Sequence, residues 1–265
     1  MILQALVKYY EDLEKQGKIS KRGWCTGKVS YGLQLSYDGK VQAVLSLKRE
    51  QQTGKKTILS PQPLTVPEMV TRSSGVSANF LCDNSKYILG IDKDGTNKRM
   101  LECFQSAKEK HLQILQNVQG EAAHAICAFF ENWKPEQAKE NPAVAESWEE
   151  LTEGSNLIFL VNGKYAQDDE MIQKAWEKTL DQRQGDAVGI CLVTGKPDGI
   201  SRIHKNIKGI PGAQSSGASL VSFNAPAFES YNKEQSYNAP VGKYAEFAYT
   251  TALNYLLSQK KYTFS

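Results

Sequence analysis

An Asp-Gly dipeptide between two alternating apolar runs constrains the fold of this chain most. Residues 31–47 contain the runs YGLQLS and VQAVLSL on either side of Asp38-Gly39. Asp-Gly at such a place is typical of a tight β-hairpin, whose two turn residues need positive φ. Asn162-Gly163 ends another apolar run, residues 156–161, in the same way. The sequence therefore predicts hairpins at both positions.

Helical periodicity occupies much of the remaining chain. Apolar residues recur at helical spacing in residues 2–15, 97–133 and 168–183, and again after Pro240. Strands and helices do not alternate regularly, which argues for an α+β fold. We expect β-hairpins and an antiparallel sheet packed with several helices. Residues 1–96 and 97–265 are the two sub-regions that this pattern suggests.

Residues 207–231 combine glycines with small polar side chains in the sequence IKGIPGAQSSGASLVSFNAPAFESY. Glycine allows positive φ and close approach of a ligand, while serine and glutamine supply both donors and acceptors. An apolar run, residues 220–223, follows the polar part. The pattern predicts a polar presentation loop that leads into a buried strand. The alternative is a surface turn whose polar side chains only cap the backbone.

A second change from polar to apolar sequence lies in residues 71–90, TRSSGVSANFLCDNSKYILG. Arginine with serine and glycine suits phosphate oxygens, because it offers charged donors together with accessible backbone N–H groups. The same residues also make a good turn. Short strands are predicted at residues 87–89 and, further along the chain, at residues 187–193.

The charge is distributed unevenly, although the net charge is only +3. Residues 1–60 hold eleven Lys/Arg and five Asp/Glu, and residues 196–219 hold four Lys/Arg and one acid. This asymmetry is compatible with a basic face for nucleic acid, and ordinary solvated surface is the other interpretation.

The five cysteines are scattered and odd in number, which predicts free, mostly buried thiols in a reducing compartment. No apolar run approaches the roughly 18 residues that indicate a membrane span. We expect a cytoplasmic protein without membrane contact.

No catalytic or metal-binding constellation is evident. The two histidines in residues 97–133 lack partners at metal-ligand spacing, so neither a metal nor a cofactor is predicted. Ser215 or Ser216 with His204 and Asp198 would make a hydrolase triad, but the G-x-S-x-G elbow is missing. We expect no catalytic residues, and a serine hydrolase remains the least favoured alternative.

Seven segments, spread in order over nearly the whole chain, are more specific than these patterns. They are MILQALVKYYEDLEKQGKI, GWCTGKVSYGLQLSYDG, RSSGVSANFLCDNSKYILG, AICAFFENW, CLVTG, IKGIPGAQSSGASLVSFNAPAFESYNKEQSYNAPV and YTTALNYLL. Together they resemble the large subunit of the type I-C CRISPR interference complex (Cascade). Members of that family are longer, so the resemblance implies that residues 1–265 are the N-terminal DNA-recognition domain of such a subunit.

The resemblance implies a non-catalytic function in DNA recognition. The large subunit of these complexes inspects the protospacer-adjacent motif on duplex DNA and helps to open the duplex for pairing with the guide RNA. It is also the docking side for the helicase-nuclease. The protein thus reads a short motif while base pairing reads the rest. The implied partners are double-stranded target DNA, the guide RNA through the complex, the other CRISPR subunits and the helicase-nuclease.

The predicted DNA contacts lie in or near residues 71–79 and 209–217. Cationic side chains are expected on phosphates, while Gln214, Ser215 and Asn79 are expected to contact the motif or act as a wedge, because Asn and Gln pair with adenine. The complete predicted set is Lys28, Arg72, Ser73, Ser74, Asn79, Lys208, Gln214, Ser215, Ser216 and Asn224.

A scaffold or docking module without direct motif reading is the main alternative. Trp24, Tyr231 and Tyr237 would then be exposed interface anchors. In that case, substitution of the interface residues abolishes assembly of the complex, whereas substitution of a DNA-reading residue removes only the preference for the motif.

Overall fold

The computed structural model describes residues 1–53, 56–70, 72, 75–182, 187–214 and 217–259. The chain forms two compact units. The terminal unit comprises Met1–Arg22 and Leu180–Ser265, and the central unit comprises Gly23–Thr179. This division differs from the sub-regions 1–96 and 97–265 suggested by the sequence, because the first helix belongs with the end of the chain.

The described elements alternate irregularly between strand and helix. The helices are α1 Ile2–Lys15, α2 Ser85–Ile88, α3 Lys98–Leu115, α4 Glu121–Asn132, α5 Pro142–Glu146, α6 Trp148–Thr152, α7 Glu170–Gln182 and α8 Lys243–Ser258. The strands are β1 Trp24–Val29, β2 Tyr31–Leu35, β3 Val41–Ser46, β4 Arg49–Thr53, β5 Lys56–Ser60, β6 Gln62–Pro67, β7 Cys82–Asn84, β8 Asn156–Val161, β9 Lys164–Tyr165, β10 Val188–Ile190 and β11 Pro197–Gly199.

A mixed sheet of five strands forms the centre of the central unit. Its order is β3-β2-β8-β7, and β9 also pairs with β8. Strands β2 and β8 are parallel, with Leu33 opposite Phe159, while the other pairs are antiparallel. Two-stranded antiparallel ladders, β1-β6 and β4-β5, accompany this sheet. The predicted α+β fold is confirmed, although one strand pair is parallel.

Both predicted hairpins form, with different turns. Asn162 and Gly163 have φ values of 52° and 73°, as a two-residue turn between β8 and β9 requires. The turn after β2 is longer and spans residues 36–40, and in it only Gly39 has positive φ. A Cβ at Gly39 would collide with the backbone of Phe129 in α4, so close helix packing also requires glycine here.

Aromatic rings around a buried histidine fill the core of the central unit. The rings of His111 and Phe130 stack with centroids 4.4 Å apart, and Phe159 meets His111 edge-on. Phe80 stacks on Trp176 on another side of this cluster. His111 Nε2 accepts a hydrogen bond from the Leu81 backbone N–H at 2.9 Å. The histidine is therefore a core residue.

Helices α1 and α8 pack together in the terminal unit. The buried Tyr10 of α1 lies edge-on to Phe247, with ring centroids 5.4 Å apart. The Tyr244 hydroxyl donates to the Glu11 carboxylate at 3.1 Å. Small residues on α8, including Ala245 and Ala248, are fully buried at this contact. The first and last helices of the described chain thus form one core.

Three short predicted strands are wrong in whole or in part. Residues 87–89 belong mostly to α2, because the Asn84 side chain caps a helical turn by accepting from the Lys86 N–H. Within residues 187–193 only β10 is a strand, and its Val188 is 66% exposed. The run at residues 220–223 pairs with no described strand. Such short apolar runs carry too little periodicity to fix their structure.

Candidate nucleic-acid interface

A closed loop, residues 208–217, contains several of the predicted DNA contacts. Its neck is an antiparallel bridge between Ile207 and Ala218, whose backbones exchange hydrogen bonds of 2.8 and 2.9 Å. Ile207 is buried, with 1% of its surface exposed. The sequence predicts a polar presentation loop here; the described residues close into a loop, and its presenting role stays a prediction.

Helix α8 holds the neck of the closed loop from one side. Asn254 accepts a hydrogen bond from the Lys208 backbone N–H at 2.7 Å and donates to the Asn206 carbonyl at 3.1 Å. The Asn206 side chain in turn accepts from the Ser219 hydroxyl at 3.0 Å. The first end of the loop is therefore fixed to a helix of the unit's core, and the second end is held to the first. Sequence analysis missed Asn254, and its only signal was an asparagine, a poor helix former, near the end of a helix.

Gly217 is required for the closed loop to end where it does. Its φ is +94°, and a Cβ at this position would lie 2.7 Å from the Ile207 carbonyl oxygen. Gly212 also has positive φ, but a Cβ there would meet nothing within 4 Å. The neck is thus sterically tight, whereas the outer part of the loop is open.

The outer part of the closed loop presents polar side chains to solvent. Lys208 and Gln214 are exposed, and Asn224, which follows the loop in the same unit, is exposed as well. Within the described residues, no ion pair engages the Lys208 ammonium. The predicted contacts Ser215 and Ser216 lie outside the described residues.

Lys28 lies apart from this loop in the sequence and belongs to the central unit. It is an exposed residue of β1, between buried Gly27 and Val29. Its backbone carbonyl accepts a hydrogen bond from the Asn156 side chain at 3.0 Å. The strand therefore fixes the backbone while the side chain points to solvent.

Arg72 is engaged inside the central unit. Its guanidinium forms two hydrogen bonds with Asp83, a carboxylate that is only 1% exposed, and its Nε donates to the Ser77 carbonyl at 2.6 Å. It also lies over the Tyr87 ring, 4.0 Å from the centroid. Burial lowers the pKa of Arg72, but Asp83 outweighs this effect and keeps the pKa above its ordinary value. In this structure Arg72, which the sequence predicts to bind a phosphate, forms a structural ion pair with Asp83.

Asn79 belongs to the same cluster and is 2% exposed. Its side-chain oxygen accepts a hydrogen bond from the Val70 backbone N–H at 2.8 Å, and the backbone N–H of Asn79 donates to the Asp83 carboxylate. A buried side chain with a satisfied acceptor cannot reach a base edge without local opening, so Asn79 is a structural residue here. The neighbouring predicted contacts Ser73 and Ser74 lie outside the described residues.

The proposed hydrolase triad is not formed by its described members. His204 Nδ1 lies 2.5 Å from the Tyr249 hydroxyl, and the Asp198 carboxylate accepts instead from the Tyr244 backbone N–H at 3.1 Å. The histidine is thus oriented by a tyrosine. The third member, Ser215, lies outside the described residues. Across the described ranges, no three His, Cys, Asp or Glu side chains are placed to hold a metal ion.

The three aromatic residues considered as interface anchors differ in exposure. Tyr231 is 94% exposed, Tyr237 is partly buried, and Trp24 is 7% exposed. The prediction that Trp24 is an exposed anchor is wrong, because this first residue of β1 is buried. Tyr231 is accessible to a partner.

Comparison with known proteins gives one family. None of the described helices is both long and apolar enough to cross a bilayer. No curated protein matches the chain. Residues 6–265 match the family described as CRISPR-associated protein Cas_Csd1. Since the match covers nearly the whole sequence, this chain belongs to the Cas_Csd1 family of CRISPR-associated proteins.

Proposed function

We propose that this protein is the non-catalytic large subunit of a type I-C RNA-guided surveillance complex. In this function it recognises the protospacer-adjacent motif on duplex DNA, aids strand opening and provides the docking side for the helicase-nuclease. Membership of a CRISPR-associated family supports the assignment to such a complex.

The closed loop, residues 208–217, is the observation that carries the proposal. Its neck is fixed to α8 through Asn254, while Lys208 and Gln214 remain exposed. A neck that is already fixed reduces the conformational entropy lost on binding, which favours affinity. A glutamine amide can pair with adenine in the major groove, and a lysine can neutralise a phosphate.

The structure changes the roles that we assign to individual residues. Lys208 and Lys28 are proposed to contact phosphates, since both side chains are exposed. Gln214 and Asn224 are proposed to contact the motif or the opened strand, together with Ser215. Arg72, Asn79 and their neighbours are better placed to hold the shape of their segment than to contact DNA directly.

The test is binding of the reconstituted, guide-loaded complex to two duplexes that share a protospacer and differ only in the flanking motif. Gln214→Ala is expected to remove the preference between the two duplexes while assembly and salt dependence stay unchanged. Lys208→Ala is expected to weaken both duplexes alike and to reduce the slope of log K against log salt by about 0.9.

The matched controls are Gln16→Ala and Lys18→Ala, which change exposed residues of the same unit outside the closed loop. Both controls are expected to behave as wild type. Retention of full motif preference by Gln214→Ala would place the reader elsewhere in the complex and remove the loop from this function.

A docking function remains a second candidate because Tyr231 is 94% exposed. Exposed tyrosines are favoured anchors at protein interfaces. Under this alternative, Tyr231→Ser prevents incorporation of the chain into the complex, as measured by co-purification, while Gln214→Ala incorporates normally and retains the motif preference. The opposite pattern supports DNA reading.

A further inference from the structure

A small pocket of about 200 Å³ lies in the terminal unit beside the run at residues 220–223. This volume is below the roughly 300–1,000 Å³ of pockets for drug-sized ligands, so it suits a group with one ring system. Its wall includes three apolar and three polar side chains, namely Ile203, Val221, Phe223, His204, Asn224 and Gln235. We call it the 223 pocket.

His204 contributes a donor to the wall of the 223 pocket. The residue is 3% exposed, and its Nδ1 lies 2.5 Å from the Tyr249 hydroxyl. Tyr249 is fully buried and its hydroxyl has no other acceptor among the described residues, so the phenol donates its proton to Nδ1. Burial lowers the pKa of His204 to about 4, so the ring is neutral near pH 7. The remaining ring proton is therefore on Nε2.

Two polar atoms of this wall lack partners within the described residues. They are Nε2 of His204 and Oε1 of Gln235, and both are shielded from solvent, so a ligand reaches them only when the wall shifts slightly. A buried donor or acceptor without a partner destabilises the protein, because the group has lost its hydrogen bond to water. One is a donor and the other an acceptor, so a ligand that presents an acceptor beside a donor satisfies both. Every nucleobase has such a pair on its Watson–Crick edge.

The charge of the pocket disfavours a phosphate. Its cationic residue, Arg202, is already paired with Glu234 at 2.9 Å. Phe223 instead supplies an aromatic surface, and rings of this kind stack on unpaired bases. The segment containing the pocket also lies next in sequence to the closed loop with Lys208 and Gln214. A neutral, planar heterocycle delivered by a nucleic-acid strand matches these features.

We propose that the 223 pocket takes one unpaired nucleobase from a DNA strand opened beside the recognised motif. The inference rests on the proposed function in DNA recognition and names a binding site that this function does not require. The base enters between apolar side chains, its acceptor receives the Nε2 proton of His204, and its donor binds Oε1 of Gln235. Capture of one base opposes reannealing of the duplex.

The test combines a scan of abasic sites with a variant that fills the pocket. The guide-loaded complex binds targets in which each nucleotide of the strand near the motif is replaced, one at a time, by an abasic site. For the wild type, one position outside the motif is expected to weaken binding by about tenfold, as loss of one stacked base does. A flat scan of these positions overturns the proposal.

Ser222→Trp fills the pocket from its rim, because Ser222 is an exposed residue of its wall. We expect it to weaken binding of the intact strand about tenfold and to abolish the effect of the critical abasic site. Gln235→Leu, which removes the acceptor without adding bulk, is the second variant and should reduce the same effect. Ser258→Trp, at an exposed serine of the same unit outside the pocket, is the matched control.

The possible failures are distinguishable. If the critical abasic site acts equally in wild type, Ser222→Trp and Gln235→Leu, the base binds elsewhere and the 223 pocket is not its site. If binding is instead insensitive to the motif and to Lys208→Ala, the proposed function fails, whatever the scan shows. Competition by inorganic phosphate at constant ionic strength would identify an anion site and would also overturn the assignment to a base.

Discussion

Removal of the Arg72 side chain separates a structural role from a role in phosphate binding. Arg72→Ala leaves the Asp83 carboxylate, 1% exposed, with backbone donors from Asn79 and Asn84 but without its counter-charge. Breaking a buried ion pair from one side costs about 3–5 kcal/mol. Arg72 is itself 24% exposed and two donors remain, so we expect a loss near the lower limit, about 3 kcal/mol.

Tryptophan fluorescence during urea unfolding measures this loss. All four tryptophans, Trp24, Trp133, Trp148 and Trp176, belong to the central unit, so the signal reports on the unit that contains Arg72. A loss of this size lowers the urea midpoint by roughly 1–3 M at ordinary m-values. In the double variant with Asp83→Ala, the two losses should fall short of additivity, by up to about 3 kcal/mol.

The control is Arg99→Ala, because Arg99 is 52% exposed and lies 3.8 Å from Glu102. We expect it to change the free energy of unfolding by less than about 1 kcal/mol. In the DNA-binding assay, Arg72→Ala should leave the slope of log K against log salt unchanged, whatever fraction of the variant is folded. A stability loss below 1 kcal/mol together with a shallower salt slope would refute the reasoning and return Arg72 to the phosphate ligands.

Three further predictions concern the neck and the core. Gly217→Ala forces a Cβ to 2.7 Å from the Ile207 carbonyl oxygen. It should lower the free energy of unfolding by about 1–3 kcal/mol and make the neck amides exchange faster with solvent hydrogen. Gly212→Ala should leave the neck amides protected. Asn254→Ala removes both side-chain hydrogen bonds to the neck. It should lower the free energy of unfolding by about 1–3 kcal/mol and raise the exchange rates of the neck amides. Unchanged exchange rates would contradict the anchoring role of Asn254. Burial lowers the pKa of His111 to about 3, so on acidification the unfolded chain takes up this proton before the folded chain does. The free energy of unfolding of the central unit should therefore fall by up to about 1.4 kcal/mol per pH unit as the pH drops from about 6.5 towards 3. His111→Gln should flatten this part of the pH profile, and an equal slope in the variant would exclude His111 as its cause.

The sequence predicts those parts of the fold that local chemistry determines. Asn162-Gly163 specifies a two-residue turn by its need for positive φ, and the long periodic segments specify α1, α3, α4 and α8. Residues 220–223 fail as a strand prediction because a strand also needs a partner, which local sequence does not reveal. The parallel pairing of β2 with β8 is likewise invisible, since it joins residues more than a hundred positions apart.

The candidate site shows the same limit. Glycine spacing indicates the loop at residues 208–217, and Gly217 proves indispensable to its neck. The anchoring by Asn254 depends on how α8 packs, which no local pattern determines. Arg72 and Asn79 have the chemistry of DNA ligands in the sequence, but the fold uses that chemistry to satisfy Asp83 and the adjacent backbone. Residue type alone does not tell whether a polar group serves the fold or a ligand.

The pairing of α1 with α8 also sets an order of events during synthesis. Helix α1 leaves the ribosome with an apolar stripe whose partner is encoded more than two hundred residues later. At roughly 5–20 residues per second, that stripe waits on the order of ten to forty-five seconds for its partner. The central unit is complete well before then. The loop neck, which needs Asn254 of the same late helix, therefore acquires its shape after the central unit. A chain terminated before α8 would carry a finished central unit and an unformed closed loop.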